Sequence, residues 1–309
     1  MLQKSEIEKK YHGIVPAFYT CYEEDGSISE SRNRALVRHL KNSGVQGLYV
    51  GGSSGECIYL SVSERKKLLE IVCDEAGSEL FIIAHVACNN TQDSMELASH
   101  AESLGVSAIA AIPPIYFHLP EKSIAAYWND ISSAAPNTDF FIYNIPQLAG
   151  VSLTPSLYRE MLQNPKVAGI KNSSMPVMDI ERFKNIATDK VIWNGPDEQL
   201  LAGLSMGASG GIGGTYAVMP KLYLRIFQDL KCGKIEEASR LQTIATNIIT
   251  KMVSSSGNMY AVAKKVISLQ IGEDLGTVRA PLSNITEDDM NLVKEIVDDI
   301  ANCYQDYSL

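Results

Sequence analysis

A chain of 309 residues with 45% hydrophobic content can bury one sizeable core. It carries 27 Lys and Arg against 36 Asp and Glu, a net charge of −9, and so lacks the basic balance a nucleic-acid binder needs. A small anionic substrate stays open, because a local pocket can be positive on an acidic protein.

The opening MLQKSEIEKK is charged and has no apolar h-region, so no secretory signal is expected. The uncharged stretch 199–220 holds six glycines and ends on Pro220, a poor composition for a membrane helix. Cysteines at 21, 57, 73, 88, 232 and 303 are scattered, with no C-x-x-C and no clustered histidines. Reduced thiols in a cytoplasmic protein, without zinc, are the expectation.

Apolar runs recur at spacings of 17 to 34 residues. Strands are predicted from Gly13 (GIVPAFYT), Gly47 (GLYVGG), Leu80 (LFIIAHV), Ala108 (AIAAIPP), Asp139 (DFFIYNIP), Val167 (VAGIKNSS), Lys190 (KVIWNG) and Gly207 (GASGGIGG). Most lack polar alternation, as parallel strands buried on both faces do. The last is too glycine-rich to be a strand on its own merits; its place in the series argues for it. Between the runs, Ser61-x-x-Glu64 reads as a capping box leading Leu68, Leu69, Ile71 and Val72 to a stop at Gly77. Thr91 is expected to cap a helix carrying Met95, Ala98 and Leu104 before Gly105.

From about residue 217 the chain reads as helical to its end. The last helix opens at Thr286 with acidic residues in its first turn and places Val293, Ile296, Val297 and Ile300 on one face. Eight β–α units in series fit a closed barrel or a long doubly wound sheet. The first predicted strand runs into Tyr19-Thr20-Cys21 rather than G-x-G-x-x-G, which favours the barrel. The expectation is an α/β fold, a (β/α)8 TIM barrel with additional C-terminal helices. Residues 1–309 then form a single domain, with a helical extension from about 233 that reads as packing or oligomer surface.

Barrel chemistry sits at the C-terminal ends of the strands. Lys171 ends the apolar run Val167–Ile170, so its stem points into or just above a buried interior. Most lysines merely snorkel at a surface. A lysine amine, which in water holds its proton up to about pH 10.4, becomes a nucleophile only when desolvation or a cationic neighbour loosens that proton. A buried strand end supplies the desolvation. Tyr143 ends the preceding strand, where its phenol can relay protons to and from that amine, or simply find a buried partner. The turn Gly51-Gly52-Ser53-Ser54-Gly55-Glu56 offers hydroxyls and close backbone approach, which suit a carboxylate. The glycines at 210–214 sit where barrels often bind phosphate, but no histidine or second lysine at a neighbouring strand end supports one.

Taken together, GGSSGE (51–56), AHV (84–86), PPIY (113–116), YNIP (143–146), GIKNSS (169–174), GPDE (195–198) and GGIGGTY (210–216) resemble the dihydrodipicolinate synthase / N-acetylneuraminate lyase superfamily of class I aldolases. The resemblance spans essentially the first 280 residues, in order. Within it the chain is more similar to the lyases. Leu148 stands where the synthases typically carry an arginine, and leucine cannot replace a bidentate anchor. The segment at 195–198 is similar to the Gly-x-Asp-Glu of the sialate-cleaving members.

The resemblance implies reversible cleavage of a sialic acid to pyruvate and N-acetylmannosamine, without metal or organic cofactor, in a homotetramer. It assigns the Schiff base to Lys171 and acid–base work to Tyr143. Ser53 and Ser54 match the pair that holds the pyruvyl carboxylate, and Tyr116 an aromatic tied to a subunit contact. Ser173, Gly195, Asp197 and Glu198 match sugar-contacting positions. Three departures stand out: Ser173 for threonine, Pro196 for an aromatic, and Gly214 for a serine that contacts the sugar tail. A missing hydroxyl contact is worth about 1 kcal/mol, enough to alter preference without altering the reaction. Another sugar acid, dihydrodipicolinate synthesis, and a non-catalytic keto-acid-binding barrel therefore stand as alternatives. A binder would need neither Lys171 nor Tyr143.

Overall fold

A computed structural model describes residues 5–309. Its strands are β1 (Gly13–Pro16), β2 (Gly47–Val50), β3 (Phe81–His85), β4 (Ala108–Ala111), β5 (Asp139–Asn144), β6 (Val167–Asn172), β7 (Val191–Asn194) and β8 (Gly210–Gly213). All eight expected runs form strands. They join one sheet in the order β1-β8-β7-β6-β5-β4-β3-β2, and the pairings from β3 to β8 are parallel. From β3 onward each strand thus neighbours its predecessor in sequence, with helices between, and the first lies beside the last. That is the (β/α)8 order.

The chain divides into two compact units, one of residues up to 13 with 81–212, the other of 14–80 with 213–309. In the first, helices Thr91–Ser103, Glu121–Ser133, Pro155–Met161, Met178–Ile186 and Leu200–Ser205 alternate with strands. An aromatic layer fills its interior. The Tyr11 ring meets Phe81 and Phe141 edge-on at 5.6 and 5.1 Å, and Trp193 lies 6.2 and 6.4 Å from the same two rings. The Tyr11 hydroxyl donates to the Ser107 carbonyl and lies 2.7 Å from the Asp139 carboxylate.

This packing explains why β8 is a strand despite its composition. A Cβ on Gly210 would lie 2.0 Å from the Gly13 carbonyl oxygen and 2.8 Å from the Trp193 ring. Only hydrogen fits there, so glycine is what close strand approach demands, not a sign of a loop. Gly169 in β6 is constrained likewise, its would-be Cβ lying 1.8 Å from the Val191 carbonyl oxygen.

In the second unit, helices Glu30–Asn42 and Val62–Ala76 pack together, as do Pro220–Lys231, Ile235–Val253, Met259–Ile271 and Met290–Asp306 in the tail. The capping box at Ser61 and Glu64 forms as expected, and Gly77 ends that helix with φ 59°. Three expectations are corrected in detail. The first strand stops at Pro16, which has no N–H to continue a ladder; only Ala17 pairs on, with Tyr49. Asn90, not Thr91, caps the helix after β3, because its carboxamide oxygen accepts the Asp93 N–H at 2.7 Å. Thr286 opens a 3-10 turn, Glu287–Asp289, before the last helix, and Val297 is only half-buried there. No helix among the described residues is long and apolar enough to cross a membrane.

Candidate active site

Strands β5, β6 and β7 set the register of the first unit's site. Tyr143 pairs with Lys171, and Lys171 with Trp193, so the three share one row and leave the sheet on one face. A register shift between Phe140 and Phe141, against Val167 and Gly169, brings Lys171 level with Tyr143. Lys171 and Tyr143 are 4% and 3% exposed, and the amine nitrogen sits 4.0 Å from the centre of the tyrosine ring. The His85 ring meets Tyr143 edge-on at 5.8 Å. The apolar Trp193 and Phe141 rings belong to the layer described above. Lysine and tyrosine, the two sequence candidates for covalent and proton chemistry, are therefore brought together in a largely dry setting.

On the next residues the two strands are clamped to each other. The Asn144 amide donates to the Asn172 carboxamide oxygen at 2.7 Å, Asn172 donates to Ser174, and Ser174 donates to Asp179 at 2.8 Å. This chain was missed in the sequence, although the matching dipeptides Tyr143-Asn144 and Lys171-Asn172 were its signal. A buried amide pair resists slippage because separating it leaves both groups unsatisfied.

Ser173 follows, buried, its N–H donating to the Asn144 carbonyl at 2.7 Å. Gly195 donates to the Asn172 carbonyl at 2.8 Å, and a Cβ on it would lie 2.0 Å from the Ser173 hydroxyl oxygen. Glycine at 195 thus leaves room for that hydroxyl. Asp197 and Glu198 form the first turn of a 3-10 helix, Asp197–Gln199, where Asp197 is buried and Glu198 exposed. The cap position belongs to Pro196, with no side-chain cap bond. Leu148 stands 59% exposed on the short helix Pro146–Ala149, whose Gln147 donates to the Ser173 carbonyl at 3.0 Å. Tyr116 is 88% exposed in the loop after β4, at φ 83°, its ring edge-on to Phe117 at 5.0 Å.

The second unit carries the other candidates. Ser53 and Ser54 begin a 3-10 turn, Ser53–Gly55, that ends on Glu56 in the left-handed region at φ 59°. Ser54 is 8% exposed. A Cβ on Gly214 would sit 3.1 Å from the Ser54 hydroxyl oxygen and 3.8 Å from the Tyr260 ring. The Gly214 carbonyl accepts the Tyr19 hydroxyl at 2.5 Å. Gly214 and Ser54 are therefore close neighbours, and a side chain at 214 would press on the Ser54 hydroxyl. Among the described residues no group of three or more His, Cys, Asp or Glu is arranged to hold a metal. None of the six cysteines forms a disulfide, and burial pushes the Cys21 thiol up to about 12.

Fold and strand-end residues together define a (β/α)8 protein with a lysine and tyrosine paired on adjacent strands. The dihydrodipicolinate synthetase family model matches residues 10–300. An N-acetylneuraminate lyase from Mediterraneibacter gnavus is 56% identical over 299 residues, covering 96% of this chain and 95% of that one. A catalytic-lysine mutant of the Ruminococcus gnavus sialic acid aldolase superposes with a TM-score of 0.96 at 54% identity, covering 98% and 99% of the two chains. N-acetylneuraminate lyase from Fusobacterium nucleatum, solved with pyruvate, gives 0.88 at 32% identity over 94% and 97%. The chain belongs to the dihydrodipicolinate synthetase family.

Proposed function

We propose that this chain is a class I aldolase that splits N-acetylneuraminate reversibly into pyruvate and N-acetylmannosamine through an imine on Lys171. The observation that carries the reading is the buried pairing of the Lys171 amine with the Tyr143 ring at 4.0 Å. Relatives named for this reaction, one with a catalytic lysine and one holding pyruvate, support it.

The Lys171 nitrogen attacks the C2 keto carbon of the open-chain sugar acid, and loss of water gives an iminium. Tyr143, as phenolate, takes the proton of the C4 hydroxyl while the C3–C4 bond breaks. The bonding electrons move into the iminium to form an enamine, and N-acetylmannosamine leaves as the aldehyde. Protonation at C3 and hydrolysis release pyruvate and restore the amine. Ser53 and Ser54 hold the carboxylate, and Ser173, Gly195, Asp197, Glu198 and Gly214 serve the polyhydroxylated tail. Tyr116 serves a subunit contact in a cytoplasmic homotetramer, which light scattering of the purified chain checks. The chain as a whole acts as one catalytic domain, and the chemistry itself calls for no organic cofactor.

The test is a panel of sugar acids scored by pyruvate release. N-acetylneuraminate should lead, and a binder without catalysis would release none. The lack of a side-chain hydroxyl at Gly214 favours a second reading, a sugar acid with a different tail, which a different leader in the panel would establish. The exposed Leu148 at the arginine position weighs against dihydrodipicolinate synthesis.

Asp197 and Glu198 give a sharper check. Like charges repel, so carboxylates suit the hydroxyls of the tail rather than the pyruvyl carboxylate. Each charge-assisted hydrogen bond lost costs about 1.5–3 kcal/mol, or roughly 10- to 150-fold. Asp197→Ala and Glu198→Ala should each depress N-acetylneuraminate cleavage on that scale while pyruvate trapping on Lys171 stays near wild type. If the pair only stabilises the turn, melting temperature, trapping and cleavage fall together. Unchanged cleavage in both variants removes them from sugar binding.

A further inference from the structure

The turn that follows Ser53 and Ser54 ends on a fully buried ion pair. Glu56 lies two residues beyond Ser54 and is 1% exposed; its carboxylate meets the Lys264 ammonium at 2.8 Å, and both side chains are wholly buried. Its other oxygen accepts the Arg279 backbone N–H at 2.8 Å. Lys264 also donates to the Thr277 carbonyl at 2.8 Å and lies 4.7 Å from the centre of the Tyr22 ring. The Arg279 guanidinium is engaged elsewhere, with Glu64 at 2.7 Å and with the carbonyls of Gly26 and Tyr59. Lys264 is therefore the ammonium set directly against Glu56.

A buried ion pair is weak evidence for stability, since the cost of desolvating both charges rivals their attraction. Its position is more telling. A carboxylate so close in sequence to a turn that receives an anion would oppose that anion through a low-dielectric interior. Glu56 is tied into the turn at both ends: its N–H closes the 3-10 turn on the Ser53 carbonyl at 3.0 Å, and its carboxylate is held by Lys264 and the Arg279 backbone N–H.

We propose that Lys264 is a positioning and specificity-determining residue for the carboxylate subsite: by neutralising Glu56 it lets the Ser53-Ser54 turn accept an anionic keto acid. This rests on the assignment of those serines to the pyruvyl carboxylate. Lys264 acts through Glu56 and the turn. Its sequence signal is an ammonium within the apolar helix Met259–Ile271, between the buried Ala263 and Val266.

The experiment compares pyruvate with pyruvamide, its uncharged analogue, by the concentration of each that gives half-maximal trapping with cyanoborohydride, read by intact mass. Wild type should prefer pyruvate. Lys264→Met keeps an apolar stem and should cut that preference about tenfold, chiefly by weakening pyruvate. Glu56→Gln keeps the size and an acceptor but leaves Lys264 unopposed, so the preference should rise. Opposite signs are the signature of charge compensation, because mere loosening of the turn lowers the preference in both variants or weakens both ligands alike. Either of those results, or an unchanged preference in both, overturns the proposal. If Lys264→Met does not fold, Glu56→Gln decides alone: a rise supports the proposal, a fall or no change overturns it. Ser53→Ala/Ser54→Ala separates the underlying assignment, since retention of the full preference for pyruvate there removes the serines, and the proposal with them.

Discussion

Lys171→Ala should abolish pyruvate release from N-acetylneuraminate, lowering kcat by at least about 10³ while the fold persists. The size follows from the role: without a primary amine there is no iminium to receive the electrons of the C3–C4 bond. Alanine at a site 4% exposed removes a long stem, so some loss of packing accompanies the change. Lys171→Met keeps most of that stem and separates the two effects. A methionine variant as inactive as the alanine one, with a melting temperature near wild type, places the loss in chemistry. Wild-type turnover in either variant would make Lys171 a core residue and nothing more.

Tyr143→Phe should lower kcat by about 10² or more and leave KM much less affected. The ring stays, so the contact with Lys171 at 4.0 Å and the edge-on contact with His85 at 5.8 Å are kept. Only the hydroxyl is lost. Because the proposed proton transfer accompanies bond cleavage, the loss belongs to the transition state more than to binding. Turnover near the wild-type rate would make Tyr143 a packing residue.

The sequence disclosed the strands because parallel strands buried on both faces lack polar alternation, and most of the runs read so. β8 did not. Its Gly210 answers to the approach of Gly13 and the Trp193 ring, contacts that connect distant parts of the chain. The lysine and tyrosine were legible as candidates for a related reason: each is a polar group that ends an apolar run, and the strand register sets the two side by side.

What stayed hidden depends on pairing across long separations. Glu56 and Lys264 are 208 residues apart, and nothing in either local stretch points to the other. Asn144 and Asn172 were visible as residues but not as a clamp, since their bond follows from strand register. The cap at Asn90 was mistaken for Thr91 because both residues can cap, and which of them lies at the boundary follows from backbone geometry.

The central claim is that catalysis passes through an imine on Lys171, and the direct measurement is reductive trapping. The protein is incubated with pyruvate and borohydride, digested, and its peptides are mapped by mass spectrometry. The account predicts one reduced pyruvyl adduct, on the peptide containing Lys171, with loss of activity in step with its formation and no adduct in Lys171→Ala. Trapping that persists undiminished in Lys171→Ala, or an adduct that maps to another lysine such as Lys264, would contradict it.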